Sequence, residues 1–470
     1  MADARQQVLD DFSGVVERSG SGVVVTDPEL LSTPAMDRLV WRAVFGADAE
    51  RSAARWLIWE LAQAVGTRPA SIHDLYIARG KGECGGFTVP AINVRMLAYD
   101  TARAIFRAAR TARAGALILE IARSEISYTV QRPDEYVAVV LAAALREGYD
   151  LPVFIQGDHC QVNAKKYSTD SRAELGEVTK LIEEEVAAGF YNIDVDTSTL
   201  VDLAQPSLSE QQRLNFESAA QLTAFIRGIE PMGVTVSVGA EIGEVGMKNS
   251  TVEELHAFME GYQQALRARG DHTGISKISV QTGTSHGGVV LPDGSIAEVK
   301  LDLEALAALS EAARSYGMAG AVQHGASTLP ADAFGHFARL ETAEIHLATN
   351  FQNIVFDHPQ LPADLKAKVR EWVLANAQSD RKEGDTEEQF LYRARKRAIG
   401  PFKEEFWRLP QDVRDAIAAD LEATFSFLFG QLRIGGTAEL VRRTTTAPEL
   451  AYHTLRKVVA VAVDDPDAGE

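Results

Sequence analysis

The chain has 470 residues and a formal net charge of −19 at pH 7, because 66 acidic residues outnumber 47 lysines and arginines. This balance argues against a nucleic-acid-binding role and against docking on anionic membrane surfaces, both of which need clustered basic residues. The sequence has no apolar stretch of membrane-spanning length, no recognisable signal segment and only two cysteines, Cys84 and Cys160. These features predict a cytoplasmic protein without a disulfide framework.

Residues 1–79 come first in the chain and are predicted to form an N-terminal helical extension. They are rich in Ala, Arg and Glu, carry Trp41, Trp56 and Trp59 at helical spacings, and contain one loop signal at Gly20-Ser21-Gly22. From Phe87 onward the pattern changes, and short apolar runs alternate with helical stretches. A different architecture therefore begins at about residue 80.

Eight of these apolar runs have the length of a buried parallel strand. They are Phe87–Asn93, Ala116–Ile121, Val153–Asp158, Tyr191–Asp196, Thr235–Glu241, Ile275–Gly283, Ala319–Gly325 and Ala343–Thr349. Strand–helix alternation repeated eight times predicts an α/β fold, a TIM (β/α)8 barrel over residues 80–360. The strand signals then stop, and residues 361–470 are predicted to form a C-terminal helical extension.

Three histidines stand at the ends of predicted strands. His159 ends the third strand, His286 follows the sixth and His324 ends the seventh. Because the C-terminal ends of barrel strands share one face, we expect these imidazoles to converge. Each histidine alone could be an ordinary hydrogen-bonded residue, but the three together predict a Zn²⁺ site with its fourth position open to substrate.

Two carboxylates accompany these histidines. Asp158 immediately precedes His159 and is either an acid or base in the cavity or a partner that orients a ligating histidine. Glu241 ends the fifth strand, where it is either a further metal ligand or a structural carboxylate. The sequence pattern leaves these alternatives open.

Small residues follow the sixth and seventh strands, namely Gly287, Gly325 and Ser327. Their backbone N–H groups and the serine hydroxyl would suit a phosphate, as at many barrel phosphate sites. Tight turns between strands and helices also require glycine, so a purely structural role remains an alternative.

Taken together, these motifs resemble the class II, zinc-dependent fructose-bisphosphate and tagatose-bisphosphate aldolases, from about Phe87 to Gln352. The matching segments, in order, are Phe87–Asn93, Asp158-His159, Asp194–Ser198, Ala240–Gly243, Gly283–Gly287, His324–Ser327 and Ala348-Thr349. Several motifs in the right order are more specific than any one of them.

The resemblance implies a reaction, a metal and a set of residues. Family members reversibly cleave a ketose phosphate or bisphosphate, such as fructose 1,6-bisphosphate, into dihydroxyacetone phosphate and an aldehyde. Zn²⁺ would be held by His159, His286, His324 and Glu241. Asp158 would be the acid or base that handles the hydroxyl proton.

The same resemblance implies how the substrate is held and how the chain assembles. The phosphate of the sugar would be cradled by Gly287, Gly325, Ser327 and Thr349, and the further expected substrate contacts are Asn93 and Asn350. In several members of the family a monovalent cation supports this phosphate. Barrels of this family usually pair, so a homo-oligomer, either a dimer or a tetramer, is expected.

Three departures from the family pattern put the substrate in question. His346 stands where the strand-eight motif of the family carries an Asn that touches the reaction intermediate, so we expect changed chemistry or a changed metal shell there. The loop after Glu241 is short, and Glu244 is its single acid, so Glu244 is the expected catalytic carboxylate of this loop. The Lys that many members have after the strand-six histidine is replaced by Gly288-Val289-Val290.

Two alternative functions follow from these departures. The non-catalytic subunits of tagatose-bisphosphate aldolase share the Gly-Asp-His end of strand three, so the chain could stabilise a catalytic partner. Alternatively, it is a divergent aldolase or epimerase that acts on another sugar.

Overall fold

The computed structural model describes residues 2–20, 22–243, 248–283, 291 and 301–452. Eight parallel strands form a closed barrel and are numbered in chain order: Val89–Asn93 (β1), Ile118–Ala122 (β2), Val153–Gln161 (β3), Asn192–Asp196 (β4), Ser237–Glu241 (β5), Lys277–Val280 (β6), Ala321–Gln323 (β7) and Glu344–Leu347 (β8). Each strand pairs with the next, and β8 pairs back with β1. The predicted TIM barrel is confirmed, with all eight predicted strands in place.

Helices cover the outside of the barrel, so the strands are buried on both faces. They are Ala98–Ala112, Arg123–Tyr128, Pro133–Arg146, Ala164–Thr169, Ser171–Ala188, Leu208–Gln211, Arg213–Ile229, Val252–Arg267, Leu303–Ser315, Phe334–Arg339 and Thr349–Asp357. Local sequence sets where helices begin. In a capping box, the Thr251 hydroxyl accepts from the Glu254 backbone N–H, and the Glu254 carboxylate accepts from the Thr251 N–H.

The segment before the barrel is helical for most of its length but also contains strands. Its helices are Ala2–Asp10, Pro34–Phe45, Asp48–Val65 and His73–Gly80. Val16–Ser19 and Gly22–Val25 form an antiparallel hairpin that the helical prediction missed. The β-branched run Val23-Val24-Val25 favours a strand, and Gly20, at φ 60°, makes the turn. Pro69–Ala70 is a short strand that adds to the start of β3.

The segment after the barrel is helical, with helices Ala363–Asn376, Glu387–Ala394, Lys403–Trp407, Gln411–Gln431 and Ala438–Thr444. The long helix Gln411–Gln431 packs along the barrel helix Ala98–Ala112. Trp407 stacks on Tyr99 of the same barrel helix, with ring centroids 6.3 Å apart. Across the described part of the chain, we find no helix that combines the length and apolarity needed to cross a bilayer.

The two terminal segments also contact each other. The indole N–H of Trp59 donates to the carbonyl of Leu450 at 2.8 Å, and the guanidinium of Arg68 donates to the carbonyl of Ala447 at 3.2 Å. The N–H of Leu450 returns a 3.0 Å hydrogen bond to the Gln63 side chain. Residues from the two ends of the chain therefore form one outer layer on the barrel.

The buried side chain of Asn192 links this N-terminal segment to two barrel strands. Oδ1 of Asn192 accepts from the N–H of Ile72 at 2.9 Å, while its Nδ2 donates to the carbonyls of Ala70 (3.2 Å) and Ile155 (2.9 Å). Asn192 is fully buried. Its amide therefore satisfies three backbone groups that water does not reach.

Replacing this amide is expected to weaken the fold. Asn192→Ala should lower the free energy of unfolding by about 3 kcal/mol, because three buried backbone groups lose their partner. Urea denaturation followed by circular dichroism measures the change. Asn376→Ala is the control, since Asn376 is exposed and bonds only locally to the carbonyl of Trp372. Equal losses in both variants would contradict the assignment.

Candidate metal centre and active site

The end of β3 departs from regular strand geometry at Asp158 and His159. The register between β3 and β4 shifts between Gly157 and Cys160, and His159 has a φ of 41°, in the left-handed region. In a regular strand consecutive side chains point to opposite faces, whereas a bulge redirects one of them. Here both side chains enter the barrel mouth, where Oδ1 of Asp158 lies 3.9 Å from Nε2 of His159. The bulge thus delivers two adjacent residues to one site.

A first group of side chains, the His159 cluster, consists of His159, Asp196, Glu241 and His324. Nδ1 of His159 lies 3.1 Å from Oδ2 of Asp196 and 3.6 Å from Oε2 of Glu241. The ring centroids of His159 and His324 are 4.3 Å apart. Nε2 of His324 lies 3.0 Å from the hydroxyl of Ser279. Residues from four strands and the loop after β7 are therefore within contact of one another.

A second group, the His346 cluster, adjoins the first and consists of His346, Glu120 and Asp158. Nδ1 of His346 lies 3.1 Å from Oε2 of Glu120 and 3.2 Å from Oδ1 of Asp158. The ring centroids of His346 and His324 are 3.9 Å apart, so the two clusters share a border. The residue that departs from the family pattern therefore lies against an expected metal ligand.

Beneath the His346 cluster lies a layer of paired charges around Lys277. Its ammonium donates to Oε1 of Gln156 (2.7 Å), Oδ2 of Asp194 (2.9 Å) and Oε1 of Glu344 (2.5 Å). Tyr76, from the helix before the barrel, donates its hydroxyl to the other oxygen of Glu344. Both members of each ion pair are buried. This inner layer therefore supports the clusters above it with oriented charges rather than apolar packing.

A glycine makes room for this inner layer. Gly239 of β5 lies between Asp194 and Lys277 in the strand register. A Cβ atom at Gly239 would come within 2.3 Å of Oδ1 of Asp194 and 2.8 Å of Cε of Lys277. Since neither group could move without losing its pairing, any larger residue at this position would break the ion pair.

The pKa values of the buried groups at the barrel mouth show that carboxylates outnumber cations there. Burial raises the pKa of Glu120 to about 7, and the nearby Asp158 carboxylate adds to the rise. Burial alone would also raise the pKa of Glu344, but the Lys277 ammonium lowers it to about 2. For His159, burial disfavours the imidazolium, yet the carboxylates around it outweigh this effect and raise its pKa to about 10. A positive charge is therefore strongly stabilised here.

Several residues predicted from the sequence lie near the strand ends in other environments. Asn93 is buried, and its amide donates to Glu125 (2.5 Å) and accepts from Arg95 (3.0 Å). Ser327 and Asn350 line one cavity of about 320 Å³ beside β8.

Two more predicted residues belong to the same loops. Gly325, at φ 67°, precedes the short 3₁₀ turn Ala326–Thr328, and Thr349 is buried at the start of its helix. The structure thus brings Asp158, His159, His324, Glu241 and His346 together, while His286, Gly287 and Glu244 lie outside the described residues.

The sequence analysis missed the inner layer and part of the clusters. The residues concerned are Tyr76, Glu120, Gln156, Lys277 and Glu344. A signal for them exists: each of the last four is a polar residue inside an apolar strand run. Since a polar side chain in a strand buried on both faces needs a partner, a charge of each sign in different runs predicts pairing inside the barrel.

The residues present fit a divalent metal. Imidazole and carboxylate groups are the donors that Zn²⁺ takes from proteins, and all those in the two clusters are buried. The donor atoms of Asp158, His159 and His324 lie within 4.8 Å of one another, as do those of His159, Asp196 and Glu241. Oδ1 of Asp158 also makes no hydrogen bond to any described residue. Such a buried, unsatisfied oxygen is what a bound cation would stabilise.

These features define the class of protein. A (β/α)8 barrel with histidines and carboxylates gathered at the C-terminal ends of its strands has the architecture of a TIM-barrel enzyme, whose active site lies on this face. Residues 80–396 match the sequence profile of the family named fructose-bisphosphate aldolase class-II. The chain belongs to this family.

Solved structures share the fold at low sequence identity. The native fructuronate-tagaturonate epimerase UxaE from Cohnella laeviribosi is 12% identical, with a TM-score of 0.54 over 92% of this chain and 100% of that chain. A probable tagatose 6 phosphate kinase from Sinorhizobium meliloti is 18% identical, with a TM-score of 0.51 over 80% and 97%. The Campylobacter jejuni fructose-bisphosphate aldolase is 16% identical, with a TM-score of 0.45 over 76% and 93%. The likeness to the epimerase and the kinase, at these identities, concerns the fold alone.

The inner layer predicts a large cost for removing its cation. Lys277→Met should lower the free energy of unfolding by about 3–5 kcal/mol, because Asp194 and Glu344 would then be buried without their partner. Thermal and urea unfolding measure the loss. In the control, Lys180→Met, the exposed partner Glu177 stays solvated and stability should change little. Wild-type stability of the Lys277 variant would refute the role given to this layer.

Proposed function

We propose that the protein is a zinc-dependent aldolase that reversibly cleaves a carbon–carbon bond of a ketose phosphate or bisphosphate, most simply fructose 1,6-bisphosphate. The products would be dihydroxyacetone phosphate and an aldehyde. The observation that carries this proposal is the buried His159 cluster beside Asp158, within a barrel of the class II aldolase family. The same donor set supports catalysis over the alternative of a non-catalytic aldolase subunit.

The proposed metal ligands are His159, His324 and Glu241, together with His286. When bound, Zn²⁺ would act as a Lewis acid that polarises the substrate carbonyl. Asp196 orients His159 through Nδ1, in the manner of carboxylates behind metal-binding histidines. These residues also exclude water, since all the described ones are buried.

Asp158 is the proposed acid or base for the substrate hydroxyl. Burial would raise its pKa, but His159 and His346 hold the pKa of this carboxyl well below its usual range. Asp158 is therefore ionised at neutral pH, which is the form that a general base needs. Glu244 and His346 are proposed as further catalytic groups, Glu244 from the loop after β5 and His346 from β8.

Substrate binding is proposed at the ends of β1, β6, β7 and β8. The phosphate would be held by Gly287, Gly325, Ser327 and Thr349, with a monovalent cation in support and with Asn93 and Asn350 as further substrate contacts. We also propose that residues 1–79 and 361–470 are additions to one catalytic barrel of residues 80–360, and that the protein acts as a homo-oligomer in the cytoplasm.

A second candidate function is an aldolase or epimerase that acts on another sugar. The observation that favours it is His346, which lies within 3.2 Å of Asp158 and 3.1 Å of Glu120, where the resembled family carries an Asn. His346 adds a titratable side chain to the proposed substrate site beside Asp158. Equal turnover by the His346→Asn variant and the wild-type protein would remove this candidate.

A coupled assay for triose phosphate, run with ketose phosphates and ketose bisphosphates, tests the main proposal. Asp158→Asn should lower kcat by a factor of about 10²–10⁴, since the proton-transfer group is lost. This variant should keep the metal ion that depends on His324. His324→Ala should lose both that ion and turnover.

His336→Ala is the matched control, because His336 lies in the helix Phe334–Arg339 and outside both clusters. It should keep metal and activity. Wild-type protein that neither binds Zn²⁺ nor cleaves any ketose phosphate would refute the aldolase proposal.

A further inference from the structure

The His346 cluster contains polar atoms whose contacts do not satisfy them. Glu120, Asp158 and His346 are all more than nine-tenths buried. Oε1 of Glu120 makes no hydrogen bond to any residue in the described ranges, while Oδ1 of Asp158 and both ring nitrogens of His346 contact charged partners without hydrogen-bond geometry. Leaving several such atoms without hydrogen bonds in one buried place is costly. These atoms would therefore be better satisfied by a further binding partner in the cluster.

The spacing of the three donor atoms fits a divalent metal ion. Nδ1 of His346 lies 3.1 Å from Oε2 of Glu120 and 3.2 Å from Oδ1 of Asp158. Ligands at about 2.1 Å from a divalent metal, with bond angles between about 90° and 109°, lie roughly 3.0–3.4 Å apart. The separations thus match the edges of a metal coordination shell.

The far side of the His346 ring completes this picture. Nε2 lies 2.7 Å from Oε1 of Glu344, which is itself held by Lys277. Histidines that bind metals through one ring nitrogen are commonly oriented through the other by a carboxylate. The inner layer thus orients His346 in the way that metal-binding histidines are oriented, with Nδ1 directed to Glu120 and Asp158.

The balance of charge points the same way. The barrel mouth and inner layer bury six carboxyl groups: Glu120, Asp158, Asp194, Asp196, Glu241 and Glu344. With neutral, ligating histidines and all six groups ionised, one divalent ion and Lys277 supply three positive charges against six. A second divalent ion raises the positive charge to five. Buried charges need such compensation because the protein interior solvates them poorly.

We propose that Glu120, Asp158 and His346 bind a second divalent cation, next to the ion of the His159 cluster. Asp158 adjoins both positions, since its Oδ1 lies 3.2 Å from Nδ1 of His346 and 3.9 Å from Nε2 of His159. A carboxylate has two oxygens, so binding through one leaves the other for the proton step proposed above. The second ion would then lie where a substrate oxygen approaches Asp158, as in two-metal active sites.

Metal content measures this proposal directly and without activity. The full-length protein, stripped with a chelator and reloaded with Zn²⁺ or Mn²⁺, should hold about two ions per chain by elemental analysis. His346→Asn and Glu120→Gln should each reduce the content to about one ion. His324→Ala should remove the other ion, and His324→Ala combined with His346→Asn should remove both.

Two measurements guard against loss of folding and against incidental binding. Circular dichroism should show an intact barrel in each variant, and His256→Asn, on the outer helix Val252–Arg267, should keep both ions. In the Mn²⁺ form, electron paramagnetic resonance should show two magnetically coupled ions in the wild type and an isolated ion in His346→Asn, since paramagnetic ions in adjacent sites interact.

The outcomes separate this proposal from the proposed function. One ion per chain that depends on His324 and persists in His346→Asn and Glu120→Gln overturns the second site and leaves the aldolase proposal intact. No bound ion in the wild type overturns both. Two ions, of which one disappears in each His346-cluster variant, support the second site whatever sugar the enzyme uses.

Discussion

The barrel interior is built around an excess of buried negative charge. Carboxyl groups from β2, β3, β4, β5 and β8 meet at the strand ends, and Lys277 alone among the described strand residues supplies a permanent cation to them. The residues around Lys277 are consistent with this constraint. Gly239 leaves space for the ion pair between Asp194 and Lys277. Tyr76 donates a hydrogen bond to Glu344, and His346 contacts the same carboxylate. An interior of this kind is stable only when its charges are matched, so binding of the proposed cation would also stabilise the barrel.

The bulge in β3 brings two adjacent polar side chains to the mouth of this charged interior. In a regular strand, Asp158 and His159 would face opposite sides, and one of the two side chains would point to the outer helices instead of the barrel mouth. The left-handed His159 costs conformational energy, which the surrounding contacts must offset. Backbone strain at this one position places an ionised carboxylate directly beside the imidazole that we propose as a metal ligand.

Much of the architecture follows from the sequence, and the reasons are physical. Apolar runs such as Val153–Asp158 predict strands because a strand covered on both faces needs little polarity, and the histidines at their ends predict a metal site from topology alone. The hairpin at residues 16–25 was not predicted, because it is short and surrounded by helical sequence. Pairs such as Lys277 and Glu344 were missed since they join residues 67 positions apart, and only the closed barrel shows which charges meet. The bulge at His159 has no sequence signal of its own, because it is set by pairing with the neighbouring strand and not by a glycine or proline at this position.

The contact between Trp59 and Leu450 has a consequence for how the molecule is made. Its two partners are 391 positions apart, and the hydrogen bond between Arg68 and Ala447 likewise joins distant parts of the chain. During synthesis the helix Asp48–Val65 emerges early, yet its outer surface is completed only when the last described residues leave the ribosome. Contacts of such long sequence separation slow folding. An incomplete chain would lack the Leu450 carbonyl that pairs with the Trp59 indole, so this part of the surface forms late in synthesis.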